Sequence, residues 1–236
     1  MTSSELVYGR RAVHEVLRGP REVLELWATE RALKAEPWLR EADVRVHAKP
    51  ERLLTAAAGT QDHQGALARV EPFGYADAYE LAAGAAPLLA VLDSVTDPRN
   101  LGAVIRSVDG AGADGVVLPA HNSARVTPAV VRASAGAVEH VRVAVVKNLA
   151  RYLGEIKGAH LWIWAAAGEA EKSLWDADLS GGAAFVLGAE GKGLRPLVRR
   201  TCDDAVSVPL HGSVASLNVS VAAALLLYEA RRQRGG

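Results

Sequence analysis

Three groups of polar side chains, each beside an apolar run, are the part of this chain that could do chemistry. The first holds Asn100 and Arg106, the second is the glycine loop GAEGKG around Glu190, and the third is the run SLNVS with Ser216 and Asn218. The second and third groups each follow an apolar strand pattern. Ligands of open α/β sheets bind outside the carboxyl ends of the strands. The sequence therefore predicts a ligand site at these loops.

The first group lies on a predicted helix whose start is well marked. Asp97 suits the N-cap position and Pro98 the first helical position. Asn100 and Arg106 lie off the apolar stripe of this helix, with Gly102 one turn before the arginine. The stripe has the spacing of one buried face and consists of Leu101, Val104, Ile105 and Val108. An ordinary surface arginine is the alternative interpretation.

The glycine loop matches neither of the common phosphate-binding patterns. It lacks the G-x-x-x-x-G-K-[ST] of a P-loop and the G-x-G-x-x-G of a dinucleotide site. Its glycines permit positive φ angles and a close approach of backbone to a ligand. Glu190, at the carboxyl end of a strand, could bind a hydroxyl or an amine. A tight turn with a solvated acid is the alternative.

The third group begins a long amphipathic helix. Ser216 is predicted as the N-cap, and Asn218 in the first turn is a poor helix former. The predicted buried face consists of Leu217, Val221, Ala224, Leu225 and Tyr228. Several hydrogen-bonding side chains at one helix start predict a contact with substrate, and a second capping role is the alternative.

Composition narrows the class of protein. The 236 residues are half apolar, carry no net charge and include one cysteine, Cys202, so no internal disulfide can form. Neutrality argues mildly against a nucleic-acid partner, although arginines cluster locally, as at Arg10 and Arg11. There is no signal-peptide pattern and no apolar run of membrane-spanning length. The histidines have no acids or cysteines at ligand spacing. We therefore expect a cytoplasmic protein without a metal site.

Apolar periodicity divides the chain into two α/β regions joined by a predicted linker at residues 72–86. In residues 1–71, helices are expected around Val13, at 31–40 and at 50–58. Strands are expected there at 22–29, 43–48 and 64–70. In residues 87–236, strands and helices alternate strictly, which predicts a parallel sheet. Its strands are expected at 88–92, 115–118, 141–146, 161–165, 183–187 and 205–208.

Taken together and in this order, the three polar groups resemble the motifs of the SpoU family of RNA ribose 2'-O-methyltransferases. The matching residues are, motif by motif, Asn100, Gly102, Ala103 and Arg106, then Gly188, Glu190 and Gly191, then Pro209 and Ser216–Ser220. Two N-terminal segments, Tyr8–Val13 and His63–Gly65, also resemble the small RNA-binding domain of one subgroup. That subgroup methylates guanosine in bacterial 23S rRNA.

The resemblance implies an α/β fold in two domains. A small α/β RNA-binding domain, residues 1–71, would precede a SPOUT domain, residues 87–236, whose parallel sheet is tied in a trefoil knot. S-adenosylmethionine would be the cofactor, held near Gly188, Val208 and Leu217. The catalytic domains would pair as a homodimer, and 23S rRNA would be the substrate.

The resemblance also assigns roles to side chains. Arg106 is the candidate for activating the hydroxyl, and we expect a clamp on phosphate and hydroxyl rather than a base, because a guanidinium is a reluctant base. The other implied catalytic residues are Asn100, Glu190, Ser216 and Asn218. On the early helix, Arg10 and Arg11 are the expected contacts to substrate RNA. Two alternatives stay open: a non-catalytic RNA-binding or ribosome assembly factor, and an rRNA methyltransferase of antibiotic self-resistance.

Overall fold

The computed structural model describes residues 4–158, 160–189 and 191–235. Within them the chain forms ten strands: β1 Glu5–Tyr8, β2 Val23–Ala28, β3 Val46–Ala48, β4 Ala66–Val70, β5 Leu88–Asp93, β6 Gly115–Pro119, β7 Val143–Val146, β8 Trp162–Ala166, β9 Ala183–Gly188 and β10 Asp204–Val206. The α-helices are α1 Arg10–Arg18, α2 Glu30–Ala35, α3 Trp38–Glu41, α4 Glu51–Ala58, α5 Ala78–Ala82, α6 Pro98–Gly110, α7 Pro128–Ala133, α8 Leu149–Ile156, α9 Pro196–Thr201 and α10 Val219–Gln233.

These elements form two compact units. Unit one runs to Gly74 and includes Val126–His140, whereas unit two comprises Tyr75–Arg125 and Val141–Gly236. Unit one is built on a four-stranded sheet in the order β1-β4-β2-β3. Strand β4 is antiparallel to both β1 and β2, and β3 is parallel to β2. Helix α1 packs its buried apolar face against β1 and β4.

Unit two is built on a six-stranded sheet in the order β10-β8-β9-β5-β6-β7, and every neighbouring pair is parallel. The central strands β5 and β9 are buried almost throughout, as expected when helices cover a parallel sheet. Helices α6 and α10 contact β5, and α8 contributes to the core cluster that includes Leu89 and Val91. Since all six strands are parallel, their carboxyl ends lie along one edge of the sheet.

The predicted fold class is confirmed, since a small α/β region precedes an α/β region that is built on a parallel sheet. All six strands expected after residue 87 are present, with ends that differ from the expected ones by at most two residues. The knot stays a prediction of the resemblance. Among the described residues, no helix combines the length and the apolar character needed to cross a membrane.

The helix predicted at 31–40 is wrong as a single element. Helix α2 ends at Ala35 and α3 begins at Trp38, with Pro37 between them. Proline lacks the N–H that a helix interior needs and clashes with the preceding turn, so the helix cannot continue through it. No strand was expected at Glu5–Tyr8, because four residues show too little alternation, yet β1 pairs along its whole length with β4.

Residues 126–140 belong to unit one, although they fall inside the region predicted as the second domain. A buried ion pair holds this segment: Arg21 Nε donates to Glu139 Oε2 at 2.9 Å, and Arg21 Nη2 donates to Glu139 Oε1. Arg21 Nη1 also donates to Glu5 at 3.1 Å. Such contacts between distant residues leave no periodic signal in the sequence.

Helix α5 lies inside the segment predicted as a linker, residues 72–86. Asp77 caps the helix by accepting the N–H groups of Tyr79 and Glu80. The buried residues of α5 pack in the core of unit two, and they are Ala78, Leu81 and Ala82. Part of the segment is therefore ordered against the sheet. The assignment of separate roles to residues 1–71 and 87–236 stays a prediction.

Candidate functional site

Helices α6 and α10 pack against each other and run in the same direction. Contacts join their N-terminal ends to each other and their C-terminal ends to each other. At the C-terminal ends, Arg231 Nε donates to the carbonyl of Ala111 at 2.7 Å, and Nη2 donates to the carbonyl of Gly112. Ala111 is the C-cap residue of α6 and Gly112 follows it, so these bonds join α10 to the end of α6. Gly110 leaves room for the Tyr228 hydroxyl, which would lie 2.6 Å from a Cβ atom there.

At the N-terminal ends of the same helices, Asn100 and Asn218 are in contact. Asn218 Nδ2 donates to Asn100 Oδ1 at 3.0 Å, although 118 residues separate them in the chain. Asn218 Oδ1 accepts the backbone N–H of Ser220 at 2.9 Å and its hydroxyl at 2.6 Å. The first and third polar groups of the sequence are thus joined directly.

Two predictions about α10 are wrong. Its N-cap is Asn218 rather than Ser216, because the helix begins only at Val219 and the Asn218 side chain accepts the N–H two residues on. The face predicted as buried is partly exposed, with Val221 and Tyr228 at 46% and 51%. The buried residues are instead Val219, Ala223, Leu226, Leu227, Glu229 and Ala230. The apolar residues of α10 are distributed around all its sides, so periodicity alone could not identify the buried side.

The start of α6 is as predicted. Asp97 accepts the N–H of Arg99, Pro98 follows it, and the whole predicted stripe is buried. Arg106 is exposed on this helix, and no described residue forms a hydrogen bond or ion pair with its guanidinium. Glu190 lies outside the described residues.

A cavity of about 540 Å³ opens at the carboxyl ends of β8, β9 and β10. Gly188, Val208 and Leu217, which the resemblance implies as cofactor contacts, all line it, and so does Ser216. The remaining wall is mostly apolar and includes Ala166, Leu187, Val206, Leu210, Val219 and Ala222. One acid, the exposed Glu169, also lines the cavity and was not expected, because nothing in its sequence context marks it.

The glycine loop forms one wall of this cavity. Gly191 and Gly193 have φ angles of 75° and 64°, as expected, and the Gly193 N–H closes the turn onto the Ala189 carbonyl at 2.9 Å. A Cβ atom on Gly188 would lie 2.2 Å from the Gly193 carbonyl carbon and 2.6 Å from the Leu194 nitrogen. The loop therefore packs directly on the strand end, and only glycine allows this approach.

A second cavity, of about 1070 Å³, lies within unit one. Arg10 and Arg11 both line it, but they differ in their contacts. Arg10 donates to the Gln64 carbonyl at 3.0 Å and to Glu36 Oε1 at 3.0 Å, so it holds the two N-terminal motifs together. Arg11 is exposed. Three further basic residues line the cavity and had no signal in the sequence: Arg31, Lys49 and Arg132.

Metal chemistry has no support in the described part of the chain. None of its His, Cys, Asp and Glu side chains form a group of three that could hold a metal ion. His63, which lies in the second N-terminal motif, is buried and bonded: Nε2 lies 2.9 Å from the Thr55 hydroxyl, and Nδ1 accepts the Gly65 N–H at 3.0 Å. Its contacts give it a structural role.

Known proteins match this chain from end to end. A family model described as the SpoU rRNA Methylase family matches residues 87–228, and one described as RNA 2'-O ribose methyltransferase substrate binding matches residues 6–76. The chain is 43% identical over 243 residues to the 23S rRNA (guanosine-2'-O-)-methyltransferase RlmB of Ralstonia nicotianae. This match covers 99% of this chain and 98% of that protein.

Solved structures agree with these matches. An RNA 2'-O ribose methyltransferase superposes with a TM-score of 0.85 at 31% identity, covering 99% of this chain and 90% of that one. The SpoU methyltransferase AviRb from Streptomyces viridochromogenes, solved with AdoMet, superposes with a TM-score of 0.83 at 27% identity, covering 98% and 90%. The motifs, the sheet and both family models lead to one conclusion: this chain belongs to the SpoU rRNA methylase family of RNA 2'-O-ribose methyltransferases.

Proposed function

We propose that this protein transfers the methyl group of S-adenosylmethionine to the ribose 2'-hydroxyl of a guanosine in 23S rRNA. The contact between Asn100 and Asn218 carries the proposal, because it joins two polar segments beside the cavity of unit two. Relatives that match nearly the whole chain are named for this activity. A 2'-hydroxyl distinguishes RNA from DNA, so the reaction defines the substrate class. A cytoplasmic location would suit a substrate of this kind.

The cavity of unit two suits the cofactor in size and lining. Its volume of about 540 Å³ is within the range of small-molecule pockets. Peptide groups of the glycine loop can make polar contacts, since Gly191 and Gly193 line the cavity without side chains to cover them. Leu187 and Val206 supply apolar surface. Bound there, S-adenosylmethionine supplies a methyl group activated by its sulfonium.

Arg106 is the residue that we place against the RNA. Its exposed guanidinium carries five N–H donors and no acceptor, so it is a poor base but a good donor to a phosphate and to the reacting hydroxyl. The proton of the hydroxyl then passes to the phosphate or to water. Asn100 and Asn218 would orient Arg106 and the ribose, and Ser216 would complete the hydrogen bonds. Glu190 would hold the loop or the arginine.

Unit one would capture the RNA. Its large cavity is lined by several basic residues, Arg11, Arg31, Lys49 and Arg132 among them, which the balanced overall charge conceals. We assign Arg11 to RNA contact and Arg10 to support of the fold, because Arg10 is already bonded to Gln64 and Glu36. Acids line the same cavity, so recognition of RNA shape fits it better than a broad electrostatic attraction.

A homodimer is the assembly that the exposed side of α10 favours. Val221 and Tyr228 lie seven residues apart, on one side of the helix, and both are about half exposed. Val214, in the loop before α10, is 73% exposed. Exposed apolar side chains along one side of a helix are typical of a surface that is covered in an oligomer. Sedimentation should give a dimer that Val221→Asp dissociates, whereas Leu53→Asp, an exposed leucine of unit one, should not.

Methyl transfer can be tested directly with purified protein. S-adenosylmethionine labelled in its methyl group should label 23S rRNA and yield 2'-O-methylguanosine after digestion. Label on a base, or on tRNA alone, would contradict the proposal. RNA binding without transfer would favour the non-catalytic assembly factor, and a labelled nucleotide within an antibiotic site would favour self-resistance.

A further inference from the structure

A small cleft lies where β6 and β7 end, and its ionisable groups are all basic. Its volume is about 260 Å³. Pro119 is the last residue of β6, Lys147 directly follows β7, and His121 and Arg195 lie beside them in the lining. No described residue of the lining is acidic, in contrast to the cavity of unit one with its glutamates. Such a cleft is suited to an anion.

A buried carboxylate holds one of these basic groups in place. Asp93, the last residue of β5, is fully buried and accepts Arg195 Nε at 2.7 Å and the Arg195 backbone N–H at 2.8 Å. The arginine side chain is half exposed. Its two Nη groups have no hydrogen-bond partner among the described residues. Since the fork of a guanidinium is rigid, fixing Nε also fixes the direction of the remaining N–H groups.

The cleft and the cofactor cavity are neighbours on one edge of the sheet. Asp93 is paired in register with Gly188, and Gly188 lines the cofactor cavity. The cavity occupies the ends of β8, β9 and β10, whereas the cleft occupies the ends of β6 and β7, with Arg195 bound to the end of β5 between them. An RNA strand whose ribose reaches the cavity would carry its flanking phosphates along this edge.

We infer that the cleft of His121, Lys147 and Arg195 binds a backbone phosphate of the RNA substrate close to the methylated nucleotide. This inference rests on the proposed function. Arg195 and Lys147 supply positive charge, His121 supplies a ring N–H, and Asp93 is a positioning residue. The cleft is smaller than the roughly 300 Å³ of pockets for drug-sized ligands, which suits a phosphate with its ribose rather than a second cofactor.

The test uses the full-length protein and substitutions at Lys147 and His121. Arg195 is left unchanged, because its removal would leave Asp93 buried without a counter-charge and would destabilise the sheet. The matched control is Arg142→Gln, which also removes one positive charge next to β7. Arg142 precedes this strand and Lys147 follows it, so the two residues lie at opposite ends of β7. Affinity for labelled 23S rRNA is measured over a series of salt concentrations, together with affinity for S-adenosylmethionine.

Lys147→Gln should weaken RNA binding about three- to tenfold and lower the slope of log affinity against log salt by about 0.7, the value for one lost phosphate contact to a single strand. Adding His121→Gln should weaken binding further. Cofactor affinity and the Arg142→Gln slope should stay as in wild type. Equal slopes for Lys147→Gln and Arg142→Gln would overturn the inference, and so would a parallel loss of cofactor affinity.

Binding of inorganic phosphate, measured alone and in competition with RNA, shows whether the ligand of the cleft is RNA or a small free anion. If phosphate binds the wild type but not Lys147→Gln, while RNA affinity is the same in both, the cleft is a site for small anions and the inference fails. If phosphate competes with RNA in the wild type and competes less well in Lys147→Gln, the inference is supported. A wild type that binds RNA but transfers no methyl group would contradict the proposed function and leave the cleft's phosphate contact measurable.

Discussion

Replacing Gly188 with alanine should strongly weaken cofactor binding, because the glycine loop packs directly on this position. An added Cβ atom would lie 2.2 Å from the Gly193 carbonyl carbon, 2.3 Å from its oxygen and 2.6 Å from the Leu194 nitrogen. Ordinary contacts begin near 3.4 Å, so the loop would have to retreat by more than 1 Å. All three atoms belong to the backbone, and no side-chain rotation can relieve the clash.

The cost can be estimated from the effect of overpacking elsewhere. Extra methyl groups in packed regions typically destabilise proteins by about 1–3 kcal/mol, and we expect Gly188→Ala at the upper end of this range because backbone must move. The retreating loop also moves the wall of the cofactor cavity. We therefore expect cofactor affinity to fall at least a hundredfold, which corresponds to about 2.7 kcal/mol.

Calorimetric titration with S-adenosylmethionine and thermal unfolding measure the two effects separately. Gly84→Ala is the neutral control, since no atom lies within 4 Å of a Cβ there. Gly191→Ala is an intermediate control: it has open space but a φ angle of 75°, so it should cost about 1 kcal/mol through backbone strain alone. Wild-type affinity and stability in Gly188→Ala would refute the packing argument.

Three further predictions concern other parts of the chain. Arg106→Ala should slow single-turnover methylation about a hundredfold and leave cofactor affinity unchanged. Arg99→Ala, a control that is also exposed on α6, should react at nearly the wild-type rate. A wild-type rate in Arg106→Ala would remove Arg106 from the mechanism. Glu139→Ala removes the fully buried carboxylate that pairs with Arg21 and leaves it only the partly exposed Glu5 as an ion-pair partner. It should lower the free energy of unfolding by about 3 kcal/mol in denaturant titration, against less than about 0.5 kcal/mol for the exposed Glu22→Ala. Equal effects of the two substitutions would show that the ion pair contributes little. Burial raises the pKa of the Cys202 thiol to about 11, so a thiol reagent at pH 8 should modify it only after unfolding, and rapid labelling of the native protein would contradict its placement in the core.

Local patterns predicted much of the fold of unit two. The stripe from Leu101 to Val108 and the cap at Asp97 depend on residues close in sequence, and both are as expected. Strands of the parallel sheet were found because each is a continuous apolar run between helices. Pro37 was underestimated, although its effect on a helix is equally local.

Long-range contacts account for what the sequence did not reveal. The buried side of α10 depends on which side meets β9, and alanine and leucine all around the helix give no preference. The contacts of Asp93 with Arg195 and of Arg21 with Glu139 join residues 102 and 118 positions apart. Motif resemblance indicated Asn100 and Asn218 separately, and only the structure gives the 3.0 Å contact between them.

Mapping ribose methylation in 23S rRNA tests the central claim most directly. Mass spectrometry of 23S rRNA from a strain that lacks the gene should show one guanosine whose ribose has no methyl group. The other modifications should be unchanged. The wild-type gene should restore that methyl group, and the Arg106→Ala gene, expressed at the same level, should not. An unchanged methylation pattern in the deletion strain, or full restoration by Arg106→Ala, would contradict the account.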